Sequence, residues 1–344
     1  MPSFLLDFVR VRIRFLGILF LTTYIFSGKL ATQVADFSQR DPLILYQPNS
    51  VLRPSDTLSS SRFWTALGIG SGLYLGSTYA LYQTWYKEFD RGPFRTFNDW
   101  PEWLQMDKAG HFFSAYFQSR YSYYGARWTG MSRSGSRWAA IGVSTIIQST
   151  IEVFDGFSPQ WGFSWSDIAA NSLGTGFFIA QDLLWQEQRI VVKVGNNLRD
   201  HPDWPISSNG VQSNLGDISR ERFGEYPFER FLKDYNNQSL WLSANLRSFL
   251  PQSGIPQWLN LAVGYGAENV YGALGNNWTA EGQSFKFPGE RYRQWFISPD
   301  IYLSRIPTKK RWVRLVLGLL DIIKVPAPTL ELSQGKLKWH WLMW

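Results

Sequence analysis

The spacing of apolar and polar residues divides the chain into a helical part and a strand part. Across residues 61–188, long apolar stretches such as 138–151 and 168–181 favour helices. Across residues 189–344 the apolar period falls to two and turn signals recur. We therefore predict an α+β fold, with an N-terminal bundle of apolar helices followed by a small antiparallel β-sheet or partial barrel with an amphipathic helix.

The alternation is clearest in the last third of the chain. One parity of the residues around 291–305 is apolar: Trp295, Ile297, Pro299, Ile301 and Leu303. We expect half-buried strands there and within residues 239–250 and 258–268. The pattern also predicts a terminal hairpin that turns at Gln334 and Gly335, and an amphipathic helix within residues 310–324.

The first 31 residues predict a targeting segment. Arg10, Arg12 and Arg14 precede the apolar residues 15–26, as in the basic region of a secretory signal peptide. Without a clear cleavage motif, both a signal peptide and an uncleaved N-terminal anchor stay open, and either carries the rest of the chain across the inner membrane. Residues 32–60 are polar and proline-containing, and they predict an irregular lead-in.

Residues 63–86 carry no charge and are numerous enough to span a bilayer. Gly68, Gly72 and Gly76 form a stripe of small residues that would let another helix approach closely, as in transporters or channels. The alternative is a buried helix in a compact bundle that is partly embedded in the membrane. We prefer this alternative, because acidic residues closely flank the other helical stretches.

Composition indicates which partners to expect. The net charge of +7 permits anionic partners, and aromatic residues make up 17% of the chain, including 18 Trp, a residue that favours membrane interfaces. We therefore predict membrane lipid as a partner, together with other envelope proteins, and no nucleic acid, since no nucleic-acid motif is present. The sequence has no cysteine, which excludes disulfides, thiol catalysis, zinc–thiolate sites and an acyl anchor on cysteine.

Polar residues interrupt the apolar helices in three groups, each spaced to share one helix face: Asp107 with His111, Gln148 with Glu152 and Asp155, and Asp167 with Asn171. If the helices pack together, these side chains form one shared cluster. We predict a divalent metal ion as its cofactor, with the ligands Asp107, His111, Glu152, Asp155, Asp167 and Asn171.

The same cluster suits acid–base catalysis, because crowded carboxylates raise one another's pKa. The catalytic candidates are His111, Asp107 and Glu152. A structural explanation stays open beside both, since a buried Asp–His pair is often an internal hydrogen-bond network. Asp167 also occupies a position typical of a helix cap. The other two histidines, His201 and His340, are predicted to lie on the surface.

Two segments that contain these groups, WLQMDKAGHFFSAY and TIEVFDGFSPQWGFSWSDIAANSLGTG, resemble the YfiM-like family of periplasmic or outer-membrane lipoproteins of unknown function. The resemblance covers about residues 98–190. The order D-K-x-x-H, E-x-x-D-G and D-x-x-x-N-x-x-G is also similar to VanZ-like membrane proteins, which are linked to glycopeptide resistance. The resemblance implies a cell-envelope protein and brings no known reaction.

Two functions follow as expectations. The first is a structural or interaction role at the periplasmic face of the outer membrane, with inner-membrane anchoring by the N-terminus as the alternative location. The second is a metal-dependent hydrolase or binding protein that acts on envelope lipid or a lipid-linked intermediate. The second requires that the carboxylates and the imidazole converge in the folded chain.

Overall fold

The computed structural model of the protein describes residues 53–87, 91–208, 211–280 and 283–344. The predicted signal peptide or anchor (1–31) and most of the predicted lead-in (32–60) lie outside the described residues. Within them, helices come first and an antiparallel sheet follows, so the predicted α+β fold is confirmed.

Before the strands, the described residues form four α-helices: α1 (Ser60–Leu81), α2 (Met106–Trp128), α3 (Arg133–Gly156) and α4 (Trp165–Trp185). A π-helical turn, Tyr82–Tyr86, extends α1, and a 3-10 turn, Glu102–Gln105, leads into α2. Helices α2, α3 and α4 pack against one another around buried aromatic side chains, among them Tyr116, Tyr123 and Phe178. These three helices make the bundle that carries the predicted polar groups.

Helix α1 differs from both predictions made for residues 63–86. It has no buried residue, so it is not a core helix. Among the described residues, no helix combines the length and apolar character that crossing a membrane requires. The glycine stripe also meets no neighbouring helix, since a Cβ at Gly68, Gly72 or Gly76 would have no atom within 4 Å. The helix instead touches α3 through a 2.9 Å hydrogen bond between the hydroxyls of Tyr74 and Thr150.

Ten strands follow: β1 (Ile190–Asn196), β2 (Pro205–Ser208), β3 (Val211–Asn214), β4 (Gln238–Asn245), β5 (Leu259–Glu268), β6 (Asn277–Ala280), β7 (Gln283–Lys286), β8 (Tyr292–Ile301), β9 (Ala327–Ser333) and β10 (Lys336–Met343). Six of them form one sheet in the order β1-β4-β5-β8-β9-β10. The pairs β2-β3 and β6-β7 form two small hairpins. Four shorter helices complete the described chain: α5 (Leu215–Phe223), α6 (Pro227–Lys233), α7 (Leu246–Phe249) and α8 (Arg311–Leu320).

The terminal hairpin and the amphipathic helix are confirmed. Gln334 and Gly335 both have positive φ, 48° and 71°, as a two-residue hairpin turn requires. Helix α8 lies within the predicted residues 310–324.

The sheet buries the alternate strand positions that carry polar side chains. The strands are half-buried as predicted, but Ser243 and Asp300 face the interior, whereas Ile297 and Trp295 are 54% and 55% exposed. The sheet also curls strongly, so that Ser239 Oγ of β4 donates a 2.9 Å hydrogen bond to the carbonyl of Trp344. Because of this curvature, other parts of the sheet surround its inner face, and the polar side chains there find partners.

A network of buried ion pairs fills that interior. Lys193 Nζ lies 3.0 Å from Asp300 Oδ2 and 3.3 Å from Asp321 Oδ1, and Arg120 Nη2 of α2 lies 3.1 Å from Asp321 Oδ2. Lys324 adds a longer contact of 3.6 Å to Asp300. Because Arg120 belongs to α2, the network fastens the helical bundle to the sheet.

We predict that Asp321→Ala destabilises the fold by about 3–5 kcal/mol, because it leaves the Arg120 charge buried without its carboxylate partner and removes one of the two carboxylates that contact Lys193. Chemical unfolding of the detergent-solubilised protein measures this. The matched control is Asp217→Ala, which removes an exposed pair with Arg220 and is expected to cost less than about 1 kcal/mol. Equal costs for the two variants would contradict a stabilising role for the network.

Candidate functional site

The three predicted polar groups meet around the His111 ring. Its Nε2 lies 3.8 Å from Asp107 Oδ1 and 3.7 Å from Asp167 Oδ1. Its Nδ1 lies 3.7 Å from Glu152 Oε1 and 3.2 Å from Asn171 Oδ1. Helices α2, α3 and α4 each contribute to this group, so the spacing of the residues along three separate helices brings them to one point.

Two local features bring the helices into this arrangement. Gly174 lies where a Cβ would collide with the carbonyl oxygen of Phe112, so the missing side chain lets α4 approach α2 next to His111. Ser164 caps α4 by accepting a 3.1 Å hydrogen bond from the backbone NH of Asp167. The suggestion that Asp167 itself caps the helix is therefore wrong, and its carboxylate is directed into the cluster.

Sequence reasoning missed Lys108, Asp99 and Tyr235 as members of the cluster. Lys108 Nζ lies 2.7 Å from Asp99 Oδ2, 2.8 Å from Asp107 Oδ2 and 2.7 Å from Asp167 Oδ1. Tyr235, just before β4, donates a 3.0 Å hydrogen bond to Asp107 Oδ1. Lys108 stands inside the D-K-x-x-H motif, whereas Asp99 and Tyr235 lie in irregular segments without a periodic signal.

Asp155 stands apart from the contacts around His111. Its Oδ1 accepts a 2.7 Å hydrogen bond from the Tyr86 hydroxyl, at the end of the π-helical turn. It lines the same cavity as Asp107 and His111. Of the six predicted ligands, five therefore gather around one another and Asp155 lies on the adjoining wall.

A strained turn leads directly into the site. Trp103, Leu104 and Gln105 have φ values of 49°, 52° and 64°, a run of left-handed non-glycine residues immediately before α2. Each such residue costs on the order of 1–3 kcal/mol and is held only by its surroundings. Here the Trp103 NH donates a 2.7 Å hydrogen bond to the Ala273 carbonyl, and the Tyr265 hydroxyl donates one to the Leu104 carbonyl. The turn fixes the start of α2 and with it Asp107.

A cavity of about 340 Å³ opens above the cluster. Its polar lining includes Asp99, Asp107, His111, Asp155 and Asp167. Its remaining wall is largely apolar and aromatic: Leu81, Trp85, Trp103, Phe113, Ile151 and Leu232. The cavity thus combines a charged end with an apolar wall, as an amphiphilic ligand requires.

Negative charge exceeds positive charge in this group. Two basic side chains, Lys108 and His111, face five carboxyl groups: Asp99, Asp107, Glu152, Asp155 and Asp167. In addition, Glu152 Oε1 and Asn171 Nδ2 are buried and have no hydrogen-bond partner. A buried carboxylate oxygen without a donor is costly, and a cation among these side chains would satisfy it.

Burial, together with this imbalance, shifts the pKa values of the group. Burial raises the pKa of Glu152 to about 8 and that of Asp155 to about 6. Burial, with the neighbouring Asp107, raises the pKa of Asp167 to about 7. Burial opposes the charge on His111, but the surrounding carboxylates outweigh it and raise the imidazole pKa. Near neutral pH, Glu152 and Asp167 therefore take up protons that a bound cation would displace.

The donor set suits a divalent cation. Within the described residues, Asp107, His111 and Asp167 each offer a ligand atom within 4.8 Å of the others. One imidazole with two carboxylates, extended by the oxygens of Glu152 and Asn171, is a set that fits Mn²⁺, Zn²⁺ or Mg²⁺. Lys108 would compete with such a cation, because two of its three contacts are to the carboxylates of Asp107 and Asp167.

The remaining histidines lie outside this cluster. His201 was predicted to be a surface residue, and this is wrong: its side chain is 10% exposed, with Nε2 2.8 Å from Asp234 Oδ2. Its Nδ1 lies 3.1 Å from the Tyr271 hydroxyl. His340 is 36% exposed and contacts Glu331 Oε2 at 2.6 Å, on the edge strand β10. His340 is thus a histidine in an ion pair distant in sequence from the cluster, and it serves as a matched control.

Comparison with known proteins adds one similarity. Residues 96–181 match a protein-family model described as a predicted periplasmic lipoprotein (DUF2279). No curated protein and no solved structure matches the chain. The matched segment contains all six predicted site residues and most of the bundle, and the family description assigns no reaction. The YfiM-like and VanZ-like resemblances stay predictions.

The raised pKa of Glu152 predicts how stability depends on pH. Because the folded-state pKa of about 8 lies above the ordinary value, folding favours the protonated acid. This stabilisation is complete below about pH 4.5 and is lost as the pH rises through about 8. We expect the metal-free protein to lose stability over this range, with a slope approaching about 1.4 kcal/mol per pH unit for one proton.

Denaturant unfolding at several pH values, in the presence of a chelator, checks this expectation. Glu152→Gln, which keeps the shape of the side chain and cannot ionise, should make the profile between pH 5 and 8 shallower by up to about 1.4 kcal/mol per pH unit. The slope that Asp155 and Asp167 contribute should remain. The control is Glu225→Gln on an exposed residue, which should leave the profile unchanged. A wild-type profile that is already flat would contradict the raised pKa.

Proposed function

We propose that this chain is a cell-envelope protein whose helical bundle binds a divalent cation and uses it to hydrolyse a phosphate ester of an envelope lipid or lipid-linked intermediate. The observation that carries the proposal is the excess of carboxylates around His111 beneath an open cavity. The match to a predicted periplasmic lipoprotein family supports the envelope location.

The geometry suggests separate roles for the clustered residues. Asp107, His111 and Asp167 present the three ligand atoms that lie closest together. Glu152 lies on the other side of the imidazole, and its Oε1 is free of hydrogen bonds. A carboxyl group with a pKa of about 8 can both accept and release a proton near neutral pH, which suits a general base.

The proposed reaction is an ordinary ester hydrolysis. A cation held by Asp107, His111 and Asp167 would supply the Lewis acidity that this hydrolysis needs. Glu152 would accept the proton of the attacking water as the oxygen of that water forms a bond to phosphorus. The bond between phosphorus and the lipid alcohol oxygen breaks, and that oxygen takes a proton from the surrounding water. The products are the free alcohol and phosphate, and no redox partner is required.

The cavity wall supports a lipid substrate. The charged end holds the acids and His111, and Trp85, Trp103 and Phe113 line the wall beside it. A phosphorylated lipid has the same division, since its anionic group needs the cation and its chain prefers apolar contacts. A small hydrophilic phosphate ester would leave the aromatic wall without a partner.

A second candidate function is a structural or interaction role at the membrane. The contacts of Lys108 with Asp99, Asp107 and Asp167 favour it, because a buried lysine can itself supply the counter-charge. In that case the cluster is an internal ion network that specifies the packing of the three helices.

Metal content and phosphate release test the proposed function. The detergent-solubilised chain is incubated with Mn²⁺, freed of unbound ion and analysed by mass spectrometry, then assayed with phosphatidic acid micelles. We expect about one ion per chain in the wild type, and at least about tenfold weaker binding in His111→Ala, because one of the three closest ligands is lost. His340→Ala is the control and should bind as the wild type does.

Glu152→Gln separates binding from catalysis. It should retain the ion and lose about 10²-fold or more of the phosphate release, as expected for removal of a general base. Equal metal content in wild type and His111→Ala would argue against the site. If the wild type binds the ion but releases no phosphate, the proposed hydrolase activity is overturned. If the wild type binds no ion and the Lys108→Met variant unfolds, the structural role is favoured.

A further inference from the structure

The outer face of the six-stranded sheet presents continuous apolar rows to its surroundings. One row crosses five strands by direct pairing: Leu242, Val263, Ile297, Leu330 and Trp339. Their exposed fractions run from 36% for Leu242 to 55% for Trp339. A neighbouring row contains Trp295, Leu332 and Leu337, which are 55%, 47% and 67% exposed. The exposed apolar side chains therefore form a continuous surface and are not scattered one by one.

The inner face is buried, and it mixes aromatic side chains with charged and polar ones. Between the two outer rows, Trp241, Gly264, Phe296, Glu331 and Lys338 follow one another across the same strands. Glu331 is 2% exposed and is held by Lys338 and His340. A sheet that faces water on one side normally buries its apolar parity. This sheet turns its aliphatic rows outwards, which water as a surrounding solvent does not explain.

The helical bundle covers only one edge of the outer face. Val192 of β1 packs in the core of the bundle, and Leu240 of β4 packs against it. Over β5, β8, β9 and β10 the rows stay exposed in the described part of the chain. With strands about 4.8 Å apart and about 3.4 Å per residue, the uncovered surface measures about 20 Å by 14 Å, a size at which exposed apolar patches mark interaction sites.

The charges at the edge of this apolar surface indicate what covers it. The outward positions of β4, β5, β8, β9 and β10, all within the described residues, carry no carboxylate, and Arg293 ends the apolar parity of β8. Helix α8 carries a second exposed apolar stripe of Trp312, Leu315, Val316 and Leu319, preceded by the exposed Lys309 and Lys310. An apolar stripe with basic residues at its end is typical of a helix in a membrane interface.

We infer that this outer face, together with the stripe of α8, inserts into the acyl region of an anionic phospholipid membrane, with Arg293, Lys309 and Lys310 at the headgroups. The net charge of +7 complements anionic lipid. A second copy of the chain is a poorer occupant, because it would place two basic margins against each other. The inference concerns the sheet and α8, so it does not rest on the proposed reaction in the bundle.

Site-specific labelling tests the inference. Because the sequence has no cysteine, an introduced cysteine is labelled without competing thiols. Ile297→Cys and, as control, Glu225→Cys in the exposed loop between α5 and α6 are each labelled with an environment-sensitive nitrobenzoxadiazole dye. The full chain is transferred from detergent to vesicles of phosphatidylethanolamine and phosphatidylglycerol. We expect the label at residue 297 to brighten several-fold and to be quenched by lipids spin-labelled on the acyl chain. The label at residue 225 should stay accessible to aqueous iodide.

A charge variant gives a second readout. Ile297→Asp should weaken co-sedimentation with these vesicles about tenfold or more, since a charge on a lipid-facing strand position is costly. Ser284→Asp, on an exposed position of β7, should bind as the wild type does. Because residue 297 is exposed, circular dichroism should show both variants folded.

Three outcomes would overturn the inference. Iodide quenching of both labels in vesicles would show that residue 297 stays in water. Burial of the label at residue 297 without vesicles, increasing with protein concentration, would identify a second copy as the occupant. Equal binding of Ile297→Asp and wild type would exclude this face. Metal content of Ile297→Asp should match the wild type, so a failure here is distinguishable from a failure of the proposed function.

Discussion

Buried charge needs a partner of opposite sign, and this constraint governs both halves of the molecule. Inside the sheet, Arg120, Lys193 and Lys324 surround Asp300 and Asp321. Each carboxylate of this network has a basic group within 3.3 Å, and burial, with the nearby Lys193, lowers the pKa of Lys324 to about 8. This network therefore has a structural role, in which it joins the helical bundle to the sheet.

The bundle cluster does not balance in the same way. Lys108 and His111 are its only basic members among the described contacts, and they face five carboxyl groups. The protein meets this imbalance by raising the pKa of Glu152, Asp155 and Asp167, so that protons take the place of a counter-ion. Titratable groups with shifted pKa values, of which Asp155 and Asp167 line a cavity here, are typical of functional sites. The contrast between the two networks is the physical reason to assign a ligand to one of them and not to the other.

The site was largely predictable and the orientation of the sheet was not. Helical spacing placed Asp107 and His111, Glu152, and Asp167 and Asn171 on single faces, and packing three helices brings such faces together. Asp99 and Tyr235 come from irregular segments whose paths only the folded chain defines. In the sheet, alternation predicted the strands, but a period of two is the same whichever face is buried. The buried polar parity depends on partners such as Arg120 and Asp321, far away in sequence.

The central claim is that a divalent cation, and not only Lys108, neutralises the acids around His111. Crystals or lipid-phase crystals soaked in Mn²⁺ and measured at a wavelength with strong manganese anomalous scattering test it directly. We expect an anomalous peak within about 2.0–2.4 Å of the ligand atoms of Asp107, His111 and Asp167, with Lys108 displaced from Asp167. A well-ordered cluster without a peak, in which Lys108 still contacts Asp99, Asp107 and Asp167, would contradict it.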